Sequence, residues 1–411
     1  DLTVNNLKTS YYDPDQDPMT SLSGVKYYPE KGEFSISAGV LFGFTQRNLL
    51  DADGSLTISF NSATGGVKSV YFRLVGRVIT DYSDPISKKN QECMGYAIVQ
   101  MKMNFDEGSF LFQAHVELGA PNHSSTALFH ASATVNFFAG PTGWFIHIGR
   151  PWSGGDPNQA KDAITLSVLD GKVTFKGYFQ CGNGTGRILR DDGSEDPSNS
   201  VDPMPPIPDF IMDILSRSRG GVDGENGHAN SLSNIDYART PIPDGGLAFG
   251  ANFNAHFDQT FLIFYINVQF MAGFDIGFYK LKTPVYCENN GNKTAFGSNN
   301  FYAKGQAYIG ASIDLGIDID LFFYKGKISI VNAGIAAYVQ LGAPNPTYCK
   351  GEVGGYFSVL GGLISGGFSF SFYWSLLRYH RNVFCRRVFC VFAKKTKDHS
   401  IRYTKKIITI A

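Results

Sequence analysis

The feature that most constrains this chain is the alternation of apolar and polar residues over 301–323. A period of two is typical of a β-strand, because successive side chains point to opposite faces of a sheet. A stretch this long predicts a strand with a bend or bulge near Gly305, Gly310 or Gly316. The alternation recurs over 247–257 and, after a change of phase, over 262–276, as expected for a hairpin whose two strands share one apolar face.

The first half of the chain contains shorter stretches of the same kind, beginning near residues 34, 56, 70, 97, 110 and 127. Aromatic residues make up 14% of the chain and glycines number 46, a composition that favours strands and tight turns. The links are too short for the crossover helices of a parallel sheet. The sequence therefore predicts an all-β fold of long antiparallel meander sheets, arranged as a sandwich or in a barrel-like form.

One segment departs from the β pattern and predicts a short helix near 208–217. Pro208 and Asp209 suit a helix start, and the apolar residues that follow form one stripe. Polar, glycine-rich stretches lie on both sides of it. We expect an N-terminal antiparallel β region at 1–190, a linker with the helix at 191–245, a C-terminal long-strand meander at 246–374 and a basic tail at 375–411.

The basic tail contains ten Lys or Arg residues against one acid, Asp398. No base-reading module or stacking platform precedes it, so we expect no nucleic-acid partner. Its abrupt change of composition predicts a disordered or poorly packed end, or an artefactual one. The chain starts at Asp1 without Met or a signal segment, which suggests a mature or excised piece of something longer.

The pentapeptide LGAPN occurs at 118–122 and again at 341–345, each time after a predicted hairpin. Either an internal duplication or a common strand-ending turn explains the two copies.

Chemical motifs are weak. Asp13, Asp15 and Asp17 alternate as in a calcium loop, but the glycine and distal glutamate of such loops are missing, so the segment is either a Ca²⁺ site or a solvated acidic turn. Histidines within the strands, such as His115 and His147, are expected to be hydrogen-bonded rather than metal-bound. No spacing diagnoses a catalytic site, and we assign no catalytic or cofactor-binding residue and expect no enzyme.

Cysteine positions predict one disulfide. Cys287 precedes the strand that begins near residue 300, and Cys349 follows the strand that ends near residue 341. In a three-strand antiparallel meander both would lie at the same end of the sheet, so we predict a Cys287–Cys349 bridge in an oxidising compartment. The alternative is a reduced protein with free thiols.

The second half carries a resemblance. The segments "GGLAFGANF", "FLIFYINVQFMAGFDI" and "GKISIVNAGIAAYVQLGAPNPTYCKGEVGGYFSVLGGLISGGFSF" resemble the central region of large uncharacterised Bacteroidota surface or secreted proteins of the TANFOR-domain kind, most specifically over 245–372. The resemblance implies secretion or a place in the cell envelope or at the outer-membrane surface. It supplies no catalytic residues.

Three functional hypotheses remain open. The first is a structural or interaction domain that contacts other domains of a larger chain or other envelope proteins. The others are an outer-membrane β-barrel and a sheet whose groove holds lipid or another apolar ligand. For any of them, we predict that Phe253, Phe264, Ile313 and Ile317 are buried. On the alternate face, Asn254, Asp314 and Asp318 are expected to be exposed or to line a polar interior.

Overall fold

The computed structural model divides the chain into two compact units. Unit 1 comprises Asp1–Ser124, Thr134–Ile146 and Gly184–Asn199, and unit 2 comprises Ser125–Ala133, His147–Asn183 and Ser200–Ala411. The residues that the structure describes are 19–20, 26–27, 33–43, 49–61, 64–78, 90, 92–152, 154–160, 162–219, 243–282, 286–289, 292–321, 324–345, 347–376, 387–395 and 401–408.

Strands make up most of the described chain. In chain order they are β1 (Met19–Thr20), β2 (Lys26–Tyr27), β3 (Glu33–Gly43), β4 (Leu50–Asn61), β5 (Val67–Val78), β6 (Gly95–Asn104), β7 (Ser109–Ala120), β8 (Phe129–Gly140), β9 (Gly143–Ile148), β10 (Ile164–Val168), β11 (Val173–Leu189), β12 (Glu195–Asn199), β13 (Pro243–Phe261), β14 (Phe264–Leu281), β15 (Tyr286–Asn289), β16 (Asn292–Ala295), β17 (Phe301–Leu321), β18 (Tyr324–Ala343), β19 (Thr347–Val359), β20 (Ile364–Leu376), β21 (Arg387–Lys395) and β22 (Ile401–Ile408). A 3-10 turn (Pro157–Gln159) and a helix, α1 (Asp209–Ser218), interrupt them.

In unit 1, each of the strands β3 to β7 pairs antiparallel with the next along the chain. The last residues of β11 pair with β12 in the same manner. Pairing between successive strands produces an antiparallel meander, as the sequence predicts.

In unit 2, the antiparallel order is β10, β11, β13, β14, β17, β18, β19, β20, β21, β22. The long strand β17 follows the predicted stretch over 301–323, and its pairing with β18 shifts register between Leu315 and Gly316. This shift confirms the predicted bulge. A side chain at Gly316 would collide with the Ile328 carbonyl of β18, so the close backbone approach requires glycine. The fold is all-β, antiparallel and long-stranded, and α1 lies where the sequence predicts a helix.

The two units do not follow the boundaries predicted from the sequence. Residues 147–183 belong to unit 2, because β10 and most of β11 pair into its sheet beside β13. The segment 200–219 also belongs to unit 2 and packs on that sheet instead of acting as a linker. In the basic tail, β21 pairs with β20 and β22 pairs with β21.

Both LGAPN copies end a strand. The Leu-Gly-Ala of the first copy forms the last three residues of β7, that of the second copy forms the last three of β18, and the Ala–Pro peptide is cis in each.

Candidate functional site

The sheet of unit 2 leaves its apolar face exposed. Ile313 of β17 lies opposite Ala333 of β18, so both point to the same side of the sheet. On this side Phe253, Phe264 and Ile313 are 38%, 50% and 38% exposed, and Ile317 is only half-buried. The prediction that these four residues form a buried core is therefore wrong.

This apolar face carries no charged side chain across six adjacent strands. Its residues occupy every second position over 247–261 in β13, 264–278 in β14, 303–319 in β17, 331–341 in β18, 349–359 in β19 and 364–374 in β20. Gln259 is the one amide among them, and all the others are aliphatic, aromatic, glycine or cysteine. The face continues onto β11, where Phe175 lies opposite Phe253.

The central part of the opposite, polar face of the same sheet is buried. Asn252, Asn254 and Gln306 have almost no exposed surface. The segment 200–219 supplies much of the cover, because Ile207, Ile211 and other apolar residues of that segment pack with aromatic residues of this face in one core cluster. Of the two sequence expectations for Asn254, the structure therefore gives the polar interior.

Helix α1 packs on a part of the polar face where glycine residues, which have no side chain, leave room for it. A Cβ atom added at Gly310 would lie 2.7 Å from Cδ1 of Ile211, and one added at Gly354 would collide with Ser218. At its C-terminal end, Arg219 forms a bidentate ion pair with the buried carboxylate of Glu352, with Nε donating to Oε1 at 2.6 Å. Close packing and this ion pair together hold the helix to the sheet.

A carboxylic acid lies at the centre of the buried polar face. Asp275 of β14 is 0% exposed, and it accepts hydrogen bonds from the Tyr178 hydroxyl at 3.0 Å and from Nε2 of Gln306 at 2.9 Å. The same Gln306 nitrogen donates to the Pro205 carbonyl at 2.8 Å, which links the sheet to the covering segment. No Lys or Arg of the described residues forms an ion pair with Asp275, and burial raises the pKa of its carboxyl to about 7.

A cavity of about 520 Å³ lies beside the covering segment of unit 2. Arg150 lines it and forms a bidentate ion pair with Asp202, which also accepts from Nε2 of Gln180 at 2.9 Å. Trp152 forms another part of the wall and packs edge-on against Tyr178. A charged pair and one ring of an aromatic pair therefore form part of the cavity wall.

Unit 1 likewise has apolar residues exposed and polar residues buried. Its exposed apolar residues include Phe34 and Ile36, whereas Arg77 is almost completely buried. The Arg77 guanidinium pairs with Asp53 at 2.7 Å. Burial of the guanidinium is tolerated because the carboxylate neutralises its charge.

Two histidines of unit 1 share one carboxylate. Nε2 of His115 lies 3.1 Å from Glu117, and Nδ1 of His123 lies 2.6 Å from it. The other ring nitrogens contact Oγ1 of Thr134 and the Asn90 carbonyl oxygen. The hydrogen bond from His115 lowers the pKa of Glu117. Every ring nitrogen is engaged, so this cluster supports the strands and offers no free metal ligand; the expectation of a hydrogen-bonded His115 is confirmed.

The structure describes only some of the residues proposed as sites from the sequence. Asp13, Asp15 and Asp17 lie outside the described residues, and no metal-holding group of His, Cys, Asp or Glu occurs within the described ranges. Cys349 carries a free thiol, so the predicted bridge to Cys287 is absent from the structure. Cys287 lies in a separate hairpin, β15–β16, opposite Thr294, whereas Cys349 pairs with Leu341 and Trp374.

Sequence reasoning missed which face of the sheet is buried. One signal was available: the polar positions of β11, β13 and β14 include Tyr178, Asn252, Asp275 and Tyr279, which are suited to mutual hydrogen bonds. A water-facing strand would carry more Lys and Glu at such positions.

These features define the class of protein as an all-β protein with a long antiparallel sheet, a short helix on the sheet's polar face and an exposed apolar face. The chain matches no known protein family, no curated protein and no solved structure. Within the described residues, none of the helices has the length and apolar character needed to cross a membrane.

Proposed function

We propose that this is a membrane-inserted β-sheet protein of a bacterial cell envelope, in which the apolar face of unit 2 contacts lipid acyl chains. The observation that carries the proposal is the sidedness of the sheet: its charge-free apolar face is exposed while the central part of its polar face is buried. A sheet in water has the reverse arrangement, because burial of apolar side chains drives its folding. In a membrane, apolar residues face lipid and polar residues face inward.

The extent of the face supports the same proposal. Six strands spaced by ~4.8 Å, each with an apolar stretch of ~11–17 residues at ~3.3 Å per residue, cover on the order of 1,000 Å². Monomeric soluble proteins rarely expose more than ~300–600 Å² in one apolar patch. A tilted strand needs only ~9–11 residues to cross the hydrocarbon layer, so each apolar stretch is long enough.

Two hairpin ends add to the apolar surface. Leu262, between β13 and β14, is 81% exposed, and Leu363, between β19 and β20, is 78% exposed. The two turns lie at the same end of the sheet, because β13 and β19 run in the same direction. Strongly exposed leucines at turns are unfavourable in water and favourable in lipid.

The second candidate is an interaction domain whose apolar face is covered by another domain of a larger chain or by another envelope protein. The resemblance over 245–372 to large Bacteroidota surface proteins favours it. The two proposals predict different free-energy costs for a charged side chain on the apolar face. In a membrane, this cost is highest at the middle of the hydrocarbon layer.

Two arginine substitutions on the apolar face of β18 test the proposal. Ile335 lies in the middle of the apolar stretch and is 52% exposed, and Leu341 lies near its end and is 48% exposed. The protein is incorporated into dioleoylphosphatidylcholine vesicles, checked by flotation and unfolded with urea. In lipid, Ile335→Arg should lower the free energy of unfolding by ~2–4 kcal/mol. The matched control Leu341→Arg should lower it by ~0–1 kcal/mol.

The other outcomes reject lipid contact. If the face is in water, both substitutions change the free energy of unfolding by less than ~0.5 kcal/mol. If the face docks a protein, the wild-type chain does not float with the vesicles.

A further inference from the structure

The sheet of unit 1 has an apolar face of its own. Its residues occupy every second position over 34–40 in β3, 50–60 in β4, 70–78 in β5, 95–103 in β6 and 110–118 in β7. All of them are aliphatic, aromatic, methionine or glycine, so none of these positions carries a charge. Ile36 and Leu118 are among its exposed residues. The face is therefore apolar and uncovered.

The opposite face of the same strands is polar and buried. Asp53 of β4, Arg77 of β5 and Gln100 of β6 have little or no exposed surface. The Tyr71 hydroxyl donates a hydrogen bond to Oε1 of Gln100 at 2.8 Å. Polar residues that face inward and apolar residues that face outward are the arrangement of a sheet surrounded by lipid.

The apolar stretches of four neighbouring strands end at common levels. At one end, a row of paired residues crosses β4 to β7 and consists of Leu50, Val78, Gly95 and Leu118. Near the other end, the corresponding row consists of Ile58, Val70, Met103 and Phe110. Each apolar stretch, 50–60, 70–78, 95–103 or 110–118, has the ~9–11 residues that a tilted strand needs to cross the hydrocarbon layer.

Polar turns and phenylalanines mark one end of this face. The turns at 64–66 and 106–108 are exposed, and they lie at the same end because β4 and β6 run in the same direction. Phe34 stacks on Phe60 at this end, with ring centroids 4.7 Å apart, and Phe105 beside the second turn is exposed. Aromatic residues concentrate where a membrane sheet leaves the hydrocarbon layer.

The common length of the stretches identifies what covers the face. A hydrocarbon layer has a fixed thickness, so strands that cross it carry apolar stretches of similar length. A protein partner imposes no such length. We propose that the apolar face of unit 1 also contacts lipid acyl chains, with the two polar turns at one surface of the hydrocarbon layer. This inference rests on the proposed function, because it takes a membrane as the surroundings of the protein.

Tryptophan quenching by brominated lipids tests the inference, because bromine quenches the tryptophans that it contacts. The full chain is incorporated into dioleoylphosphatidylcholine vesicles that contain phosphatidylcholine brominated either near the end or near the start of its acyl chains. One probe is Leu56→Trp, in the middle of the apolar stretch of β4, and the other is Leu118→Trp, at the end of that of β7; both leucines are exposed. The fluorescence of the three native tryptophans is measured in the wild type and subtracted.

We expect the Leu56→Trp probe to lose more fluorescence to bromine near the chain end than to bromine near the chain start. Leu118→Trp should show the opposite order. Asp106→Trp, in the polar turn, should be quenched by aqueous iodide and least of all by either lipid. Ala38→Trp is a second deep probe, since Ala38 is exposed and lies opposite Leu56. If both deep probes are quenched no more than the Asp106 probe, or equally by both lipids, the inference is wrong.

A probe on unit 2, Ile335→Trp, separates this inference from the proposed function. Quenching of the Ile335 probe without quenching of the two deep probes of unit 1 overturns the inference and leaves the proposed function standing. Quenching of the unit 1 probes alone supports the inference and overturns lipid contact by unit 2. A wild-type chain that does not float with the vesicles overturns both.

Discussion

Replacing Asp275 with asparagine is predicted to remove most of the pH dependence of stability between about pH 4 and pH 7. Burial raises the pKa of Asp275 from 3.8 to about 7 in the folded protein. Between these values the unfolded chain is ionised while the folded chain keeps its proton, so unfolding releases a proton. Stability therefore falls as the pH rises through this window and is level above it.

The magnitude follows from the size of the pKa change. A change of roughly three units at ~1.4 kcal/mol per unit corresponds to about 4 kcal/mol of lost stability at pH 8. Asparagine cannot ionise, and its carbonyl oxygen retains one of the two hydrogen bonds from Tyr178 and Gln306. The mismatch of its amide with the other donor costs ~1–2 kcal/mol. Asp275→Asn should thus be less stable than the wild type near pH 4 and ~2–3 kcal/mol more stable at pH 8.

The assay is urea unfolding, followed by tryptophan fluorescence in dodecyl maltoside from about pH 4 to pH 8.5. A second variant, Tyr178→Phe, removes a donor that favours the ionised carboxylate, so the pKa of Asp275 rises further and the decline extends above pH 7. Equal slopes for the wild type and Asp275→Asn across pH 4.5–7 would refute the reasoning.

Two further predictions concern helix α1. Gly310→Val should displace the helix from the sheet and cost ~1–3 kcal/mol by thermal denaturation, whereas Gly305→Val, whose nearest neighbour would lie 3.7 Å away, should cost less; equal losses would contradict the packing. Glu352→Gln should loosen the end of the helix, because the bidentate partner of Arg219 is weakened. Trypsin should then cleave after Arg219 several times faster than in the wild type, and unchanged cleavage would show that the ion pair does not hold this end.

The sequence predicted the strands and the helix well for a physical reason. The alternation over 301–323 arises because successive side chains of a strand point to opposite faces of the sheet. The register shift at Gly316 follows from the length of that stretch. The stripe of apolar residues around Ile211 and Leu215 likewise reports a helical period. These are local properties, set by neighbours along the chain.

The candidate sites were far less predictable. Trp152, Asp156 and Asp202 line one cavity. Their spacing along the sequence does not indicate this. In the sequence, Asp275 occupies an ordinary polar position of a strand. Only the fold brings Tyr178 and Gln306 within hydrogen-bond distance of it. The predicted Cys287–Cys349 bridge relied on a simple meander, whereas Cys287 lies in a separate β15–β16 hairpin and Cys349 carries a free thiol.

By itself, the sequence determined that the long sheet of unit 2 has one apolar and one polar face. Only the tertiary structure decided which of them is buried. A period of two is identical whether Phe253 points into a core or away from it, so the pattern cannot supply the direction. The direction is set by the segment 200–219, which covers the polar face, pairs Arg219 with Glu352 and supplies the Pro205 carbonyl to Gln306. Contacts between residues so far apart in the chain have no local signature.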